Sequence, residues 1–149
     1  MDQRPRFDAK YHVGIEQVDN EHRQLFEIAG RVYDALGKTG AAADGIVRAA
    51  ITELLDYTTT HFANEEALME AAAYPELAAH QELHRHLLSR ARDMEMRVEF
   101  DAQYVPLELN RFIANWLVEH IQESDRKFGD FVAARGGCGF SADDREQQE

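Results

Sequence analysis

Apolar residues recur at steps of three and four along most of the chain, and no segment carries the strict alternation of a half-buried strand. The first such stretch follows Asp19, read as an N-cap. It sets His22, Leu25, Phe26, Ala29, Val32, Tyr33 and Leu36 on one face before Gly37 ends it. After the connection GKTGAAAD, a second pattern from about Asp44 to Ala72 repeats Val47, Ile51, Leu54, Thr58, His61, Glu65 and Leu68 along one stripe. Pro75 suits the first position of a third helix, with inner stripe Leu77, His80, His84, Leu87, Ala91, Met94 and Val98. Pro106 does the same for a fourth, through Leu109, Phe112, Ile113, Trp116, Leu117, His120, Ile121, Asp125, Phe128 and Val132.

Short connections make sequential helices antiparallel neighbours, so the expectation is an all-α, up-down-up-down antiparallel four-helix bundle. Residues 1–18 read as an extended arm anchored by Phe7, Tyr11, Val13 and Ile15. Residues 1–135 are therefore expected to form one bundle domain with its arm, and 136–149 a polar C-terminal tail. At 149 residues the chain is long enough for one domain with a real core.

Charge narrows the function. With 16 Lys+Arg against 28 Asp+Glu, the net charge of −12 argues against nucleic acid and anionic membranes as partners. No apolar run reaches the roughly 20 residues of a membrane span, and the first residues lack a signal-peptide core, so a cytoplasmic protein is expected. The single cysteine, Cys138, cannot form an internal disulfide and reads as a tail thiol.

The candidate chemistry lies where the helices would otherwise bury leucine. Of seven histidines, five (His22, His61, His80, His84 and His120) fall on inner stripes, joined there by Glu65 and Asp125. Burying that many polar groups unpaired costs roughly 1–3 kcal/mol each, and more for a carboxylate, so something must satisfy them. In an antiparallel bundle with a rise of about 1.5 Å per residue, His22 lies roughly 5 Å, His80 and His84 roughly 10 Å, and His61 and Glu65 roughly 13 Å from one common end, with His120 and Asp125 somewhat deeper. All seven share one half of the bundle.

Neutral imidazoles with few carboxylates suit a divalent first-row transition metal better than Mg²⁺ or Ca²⁺. Seven side chains exceed the needs of one zinc, whereas two metals sharing bridging carboxylates use them all. Ferritin-like di-iron sites are richer in glutamate. An imidazole-rich pair favours the ferrous state, which suits reversible O₂ binding better than O₂ cleavage.

With those residues in view, the chain from about Phe7 to Phe131 resembles the bacterial hemerythrins. The carrying segments are YHVGIEQVDNEHRQLF with His22, HFANE with His61 and Glu65, HQELH with His80 and His84, and WLVEHIQESD with His120 and Asp125. The resemblance implies two non-haem irons per chain, one held by His80, His84 and His120 and the other by His22 and His61. Glu65, Asp125 and an oxo or hydroxo group would bridge them, and the two-histidine iron would have the open position for O₂.

Leu25, Phe26, Phe62, Trp116 and Leu117 read first as core and, through the resemblance, as candidates for the O₂ pocket. Leu117 is foremost, because the matching leucine of the family walls that pocket. Phe7 stands where many bacterial members have tryptophan, and His12 where a smaller residue is common; both, like His86, are expected off the site. The acidic runs ANEEALME and SADDREQQE read as solvated faces and tail.

The implied function is reversible O₂ binding for storage, delivery or sensing, without enzymatic turnover. The alternative is a di-iron oxidase, peroxidase or nitric-oxide-handling protein on the same ligands. The tail is the visible candidate for docking a protein partner.

Overall fold

A computed structural model describes residues 4–36, 41–100 and 106–135 of the chain. Among these residues there is no strand. A single 3-10 turn (Ala9–Tyr11) precedes α1 (Glu16–Leu36), α2 (Ala41–Ala71), α3 (Leu77–Phe100) and α4 (Pro106–Glu119). A π-helical segment (His120–Asp125) then leads into α5 (Arg126–Ala134). The backbone stays helical on both sides of that segment, at φ −65°, ψ −46° for Glu119 and φ −63°, ψ −36° for Arg126. The three pieces therefore form one rod, the fourth of the bundle.

Pairings along the rods show their antiparallel order. A step forward on α1 from His22 to Arg31 is a step back on α2 from His61, whose ring lies 4.8 Å from that of His22, to Glu53, paired with Arg31 at 2.9 Å. Between α2 and α3 the same reversal takes Glu65–His80 at 2.9 Å to Thr52–Glu95 at 3.2 Å. The predicted stripes supply the core. All seven α2 positions are buried, as are His80, His84, Leu87 and Val98 on α3, while Leu77, Ala91 and Met94 are half-buried. Away from the histidines the interior is aliphatic, built from Val47, Ile51, Leu54 and Ile113. A gap of about 20 Å³ remains beside Thr58 and Trp116.

Three local readings change. Helix α1 begins at Glu16, ahead of Asp19: buried Ile15 directly precedes it, its carbonyl accepting from Asp19 N–H at 2.9 Å, and buried Val18 lies within its first turn. Asp19 is thus no N-cap. Its buried carboxylate accepts from the backbone N–H groups of Val13 (2.8 Å) and Gly14 (3.2 Å), which fixes the arm to α1. Pro75 sits in the turn before α3 rather than at its first position; Leu77 N–H bonds back to Tyr74 O at 3.2 Å. At the end of α2, Ala73 takes φ +55° while Tyr74 N–H reaches Met69 O (2.9 Å) and Ala73 N–H reaches Glu70 O (3.0 Å). This is a Schellman motif with alanine where glycine is the unstrained choice.

The arm runs along α1 and α5. Tyr11 stacks on Phe26 at 5.0 Å, Phe7 meets Phe26 edge-on at 5.7 Å, and Arg126 donates to the Lys10 and His12 carbonyls. The arm lies so close to α5 that a Cβ at Gly129 would collide with the Val13 carbonyl oxygen. Cys138 and the expected tail at 136–149 lie outside the described residues, as do the side chains of Leu36 and Leu109.

Candidate metal centre

Seven side chains from all four rods meet in one half of the bundle: His22 on α1, His61 and Glu65 on α2, His80 and His84 on α3, and His120 and Asp125 at the two ends of the π segment. Each is buried, with His22, Glu65 and Asp125 at 0 % exposure. The last pair explains the π segment. In a regular α-helix, residues five apart point about 140° away from each other, so Asp125 would face away from the site that His120 enters. One wider turn, closed by Arg126 N–H to Ile121 O, brings both inward.

The ligand-type atoms fall into two groups, each drawn together within 4.8 Å. Glu65 and Asp125 belong to both; His80, His84 and His120 complete one, and His22 and His61 the other. Asp125 Oδ1 lies 3.1 Å from His80 Nε2 and 3.0 Å from His120 Nε2, and its Oδ2 lies 2.9 Å from His22 Nε2. Glu65 Oε1 lies 2.9 Å from His80 Nε2 and 3.2 Å from His84 Nε2.

The donor set fits metal ions. Neighbouring ligands at right angles around an ion bound at about 2.1 Å are about 3 Å apart, which is the spacing found here. In addition, His22 Nε2, His61 Nε2, Glu65 Oε2 and both Asp125 oxygens are buried without a hydrogen-bond partner, although they converge on common points. Buried polar atoms are rarely left so, and cations between them would satisfy all five.

Charge is arranged to match. For Asp125, burial opposes ionisation, but the charge of His120 and the ring nitrogens of His120, His22 and His80, drawn up to 2.9–3.1 Å, hold its carboxyl well below the ordinary value. For Glu65, burial and the Asp125 charge push upward, and hydrogen bonds from His80 and His84 with the His61 charge win, leaving it lowered. Burial works against protonated His80, yet the adjoining carboxylates of Asp125 (3.1 Å) and Glu65 (2.9 Å) raise it to about 9. Without metal, a proton on His80 offsets part of the charge of the two carboxylates.

Two further carboxylates belong to the site and were not foreseen. Glu21 Oε1 lies 2.6 Å from His61 Nδ1, and Glu66 Oε2 lies 2.7 Å from His84 Nδ1. Each fixes the ring so that Nε2 points to the interior. Glu66 thus corrects the reading of ANEEALME as a purely solvated face. Glu21 also accepts from Asn64 (2.9 Å) and Gln17 (3.3 Å), and these bonds with that of His61 outweigh its burial to keep its pKa low. The available signal was adjacency: each precedes or follows a site residue directly, on a helix edge where an outer partner can reach back.

The candidate pocket residues separate. Phe62 lies flat on His84, ring centroids 3.6 Å apart at 3°, and meets Trp116 edge-on at 6.1 Å. Leu117 and Leu25 are buried, each 2 % exposed, and Trp116 is half-buried. Phe26 is buried too, but its ring partners are Phe7 and Tyr11 of the arm. His12 and His86 are exposed, with His12 against Arg23 at 3.0 Å.

Residues 13–132 match the family model of the hemerythrin HHE cation binding domain. The chain is 37% identical over 124 residues to a bacteriohemerythrin of Stenotrophomonas maltophilia (strain R551-3), covering 83% of this chain and 78% of that protein. It is 31% identical over 124 residues to myohemerythrin-1 of Phascolopsis gouldii, covering 82% and 89%. A crystal structure of wild-type hemerythrin superposes with a TM-score of 0.75 at 26% identity, over 84% of this chain and 94% of that one.

Proposed function

This chain belongs to the hemerythrin family, and from that premise we propose that His80, His84 and His120 hold one iron and His22 and His61 the other. Glu65 and Asp125, which belong to both donor groups, would bridge the pair together with an oxo or hydroxo group. The observation that carries this assignment is the sharing of Glu65 and Asp125 by two otherwise separate donor groups. The protein binds O₂ at this di-iron centre and is not an enzyme. When bound, the iron pair supplies the electrons that O₂ takes up on binding and returns on release.

The chain's own residues set the conditions. Glu65 and Asp125 bring two negative charges into a site otherwise built of imidazoles, and Glu21 and Glu66 keep His61 and His84 oriented. The His22/His61 group has one donor fewer than the other, which supports an opening for O₂ on that side. Leu117, with Phe62, Trp116 and Leu25, forms the apolar surround that keeps water and protons from the opening; Phe26, packed on Phe7 and Tyr11, supports it only indirectly by fixing the arm. No helix among the described residues is long and apolar enough to cross a membrane. A cytoplasmic setting suits a centre that must stay reduced to bind O₂, in a role of storage, delivery or sensing. A partner docking on residues 136–149 would supply an output for sensing.

The test is metal analysis of anaerobically purified protein with absorption spectra through repeated O₂ addition and removal. Two irons per chain and a spectrum that returns on each removal are expected. One tightly held zinc after iron-replete expression would overturn the assignment, and a need for reductant at every cycle would favour the oxidase reading.

A further inference from the structure

The arm and α4 enclose a cleft of about 800 Å³ on the outside of the bundle, and none of the seven central residues lines it. Its volume is in the range of small-molecule sites. Its charge is opposite to that of the protein. Arg4, Arg6 and Lys10 line it from the arm and Arg111 from α4, against one acid, Asp8, in a chain of net charge −12.

Only part of this positive charge has a structural use. Arg4 packs across Gly30 and grips Asp34 through contacts of 3.1 and 3.3 Å. The Lys10 ammonium lies 5.3 Å from the Tyr11 ring centre. Arg6 and Arg111 have no ion-pair partner among the described residues and are exposed, one on the arm and one on α4. Like charges gathered in one cleft repel, and a concave surface concentrates their field on whatever enters. Buried Asn110, 7 % exposed, adds a neutral amide to the lining.

We propose that this cleft binds a small anion carrying two or more phosphoryl groups, bridging the arm and α4. Three of the four cations are arginines, whose planar donor fork matches phosphate oxygens. More than one phosphoryl group is needed because the uncompensated guanidinium groups belong to different elements, the arm and α4. A nucleoside polyphosphate and a free polyphosphate share this chemistry.

The test uses the full iron-loaded chain, titrated calorimetrically at about 0.15 M salt with ATP and with inorganic tripolyphosphate, and with sulfate at matched ionic strength. Saturable binding of tripolyphosphate but not sulfate is expected. Arg6→Glu and Arg111→Glu should each weaken it roughly tenfold or more, the scale of one lost charge-assisted bond, while Lys127→Glu on the exposed face of α5 leaves it unchanged. Arg6→Gln and Arg111→Gln, with iron content and melting temperature as folding checks, stand in if a charge reversal unfolds the chain. Tighter binding of ATP than of tripolyphosphate identifies the nucleotide as the source, and equal binding the free polyphosphate. No saturable binding of either probe, or equal losses in the Lys127 variant, would overturn the proposal.

Discussion

Glu21 and Glu66 divide the centre into two halves that can be weakened one at a time. Glu21 orients His61, in the two-histidine group, and Glu66 orients His84, in the three-histidine group. Glutamine in either place keeps the shape and removes the charge. Loss of such an orienting partner costs about 10–100-fold in metal affinity, or roughly 1.4–2.8 kcal/mol. Glu21 should fall at the upper end, because its side chain is 16% exposed against 27% for Glu66 and it also anchors Asn64 and Gln17. Anaerobic titration of metal-free protein with ferrous iron, with site occupancy read by calorimetry and Mössbauer spectroscopy, would measure this. Glu21→Gln should lower the affinity of the two-histidine site first, and Glu66→Gln that of the three-histidine site. Affinities within twofold of the parent, or identical losses at both sites in both variants, would refute the argument.

Three other outcomes are expected. Leu117→Ala should cost about 2–5 kcal/mol through cavity formation and keep iron near two per chain, yet shorten the optically measured lifetime of the oxygenated form; an unchanged lifetime in folded protein returns Leu117 to ordinary core. In the metal-free chain, the adjoining carboxylates of Asp125 and Glu65 outweigh burial and raise His80 to about 9 from an ordinary 6.5. Its contribution, roughly 3 kcal/mol at most, is complete below pH 6.5 and lost as pH rises through 9. The apo melting temperature should therefore fall across that window while iron affinity rises, since ligation expels the proton; a flat apo profile would contradict this. Ala73→Gly relieves the positive φ at the end of α2 and should add about 1 kcal/mol, raising the melting temperature by roughly 2–4 °C; a lower melting temperature would show that the strain is absent.

The bundle was legible because each rod repeats one kind of stripe, and the α2 stripe from Val47 to Leu68 is buried throughout. The seven central residues were legible for the same reason, as polar side chains in positions a helix reserves for apolar ones. What escaped depends on tertiary partners. Asp19 has the composition of an N-cap, but its role is set by the Val13 and Gly14 amides of a segment folded back on it. Glu66 looks solvated until α3 brings His84 alongside. Phe26 shares the inner face of α1 with His22 and Leu25, yet the arm claims its ring. The five-residue step from His120 to Asp125 was visible; the wider turn that makes it work was not, because periodic reading assumes a uniform pitch.

That wider turn makes the centre a matter of chain length as well as residue type. Deleting one residue between Ile121 and Ser124 would let the rod relax to uniform α pitch and set the aspartate four positions after the histidine, about 40° from it instead of 140°. Inserting a second would rotate Phe128 and Val132 out of the core with it. A plain helix of another protein could thus acquire this inward-facing carboxylate by a single-codon insertion that introduces a π turn, or do without the turn if an acid already stood one residue earlier. Searches for related centres that tolerate no gaps within the last helix would miss one of these two encodings.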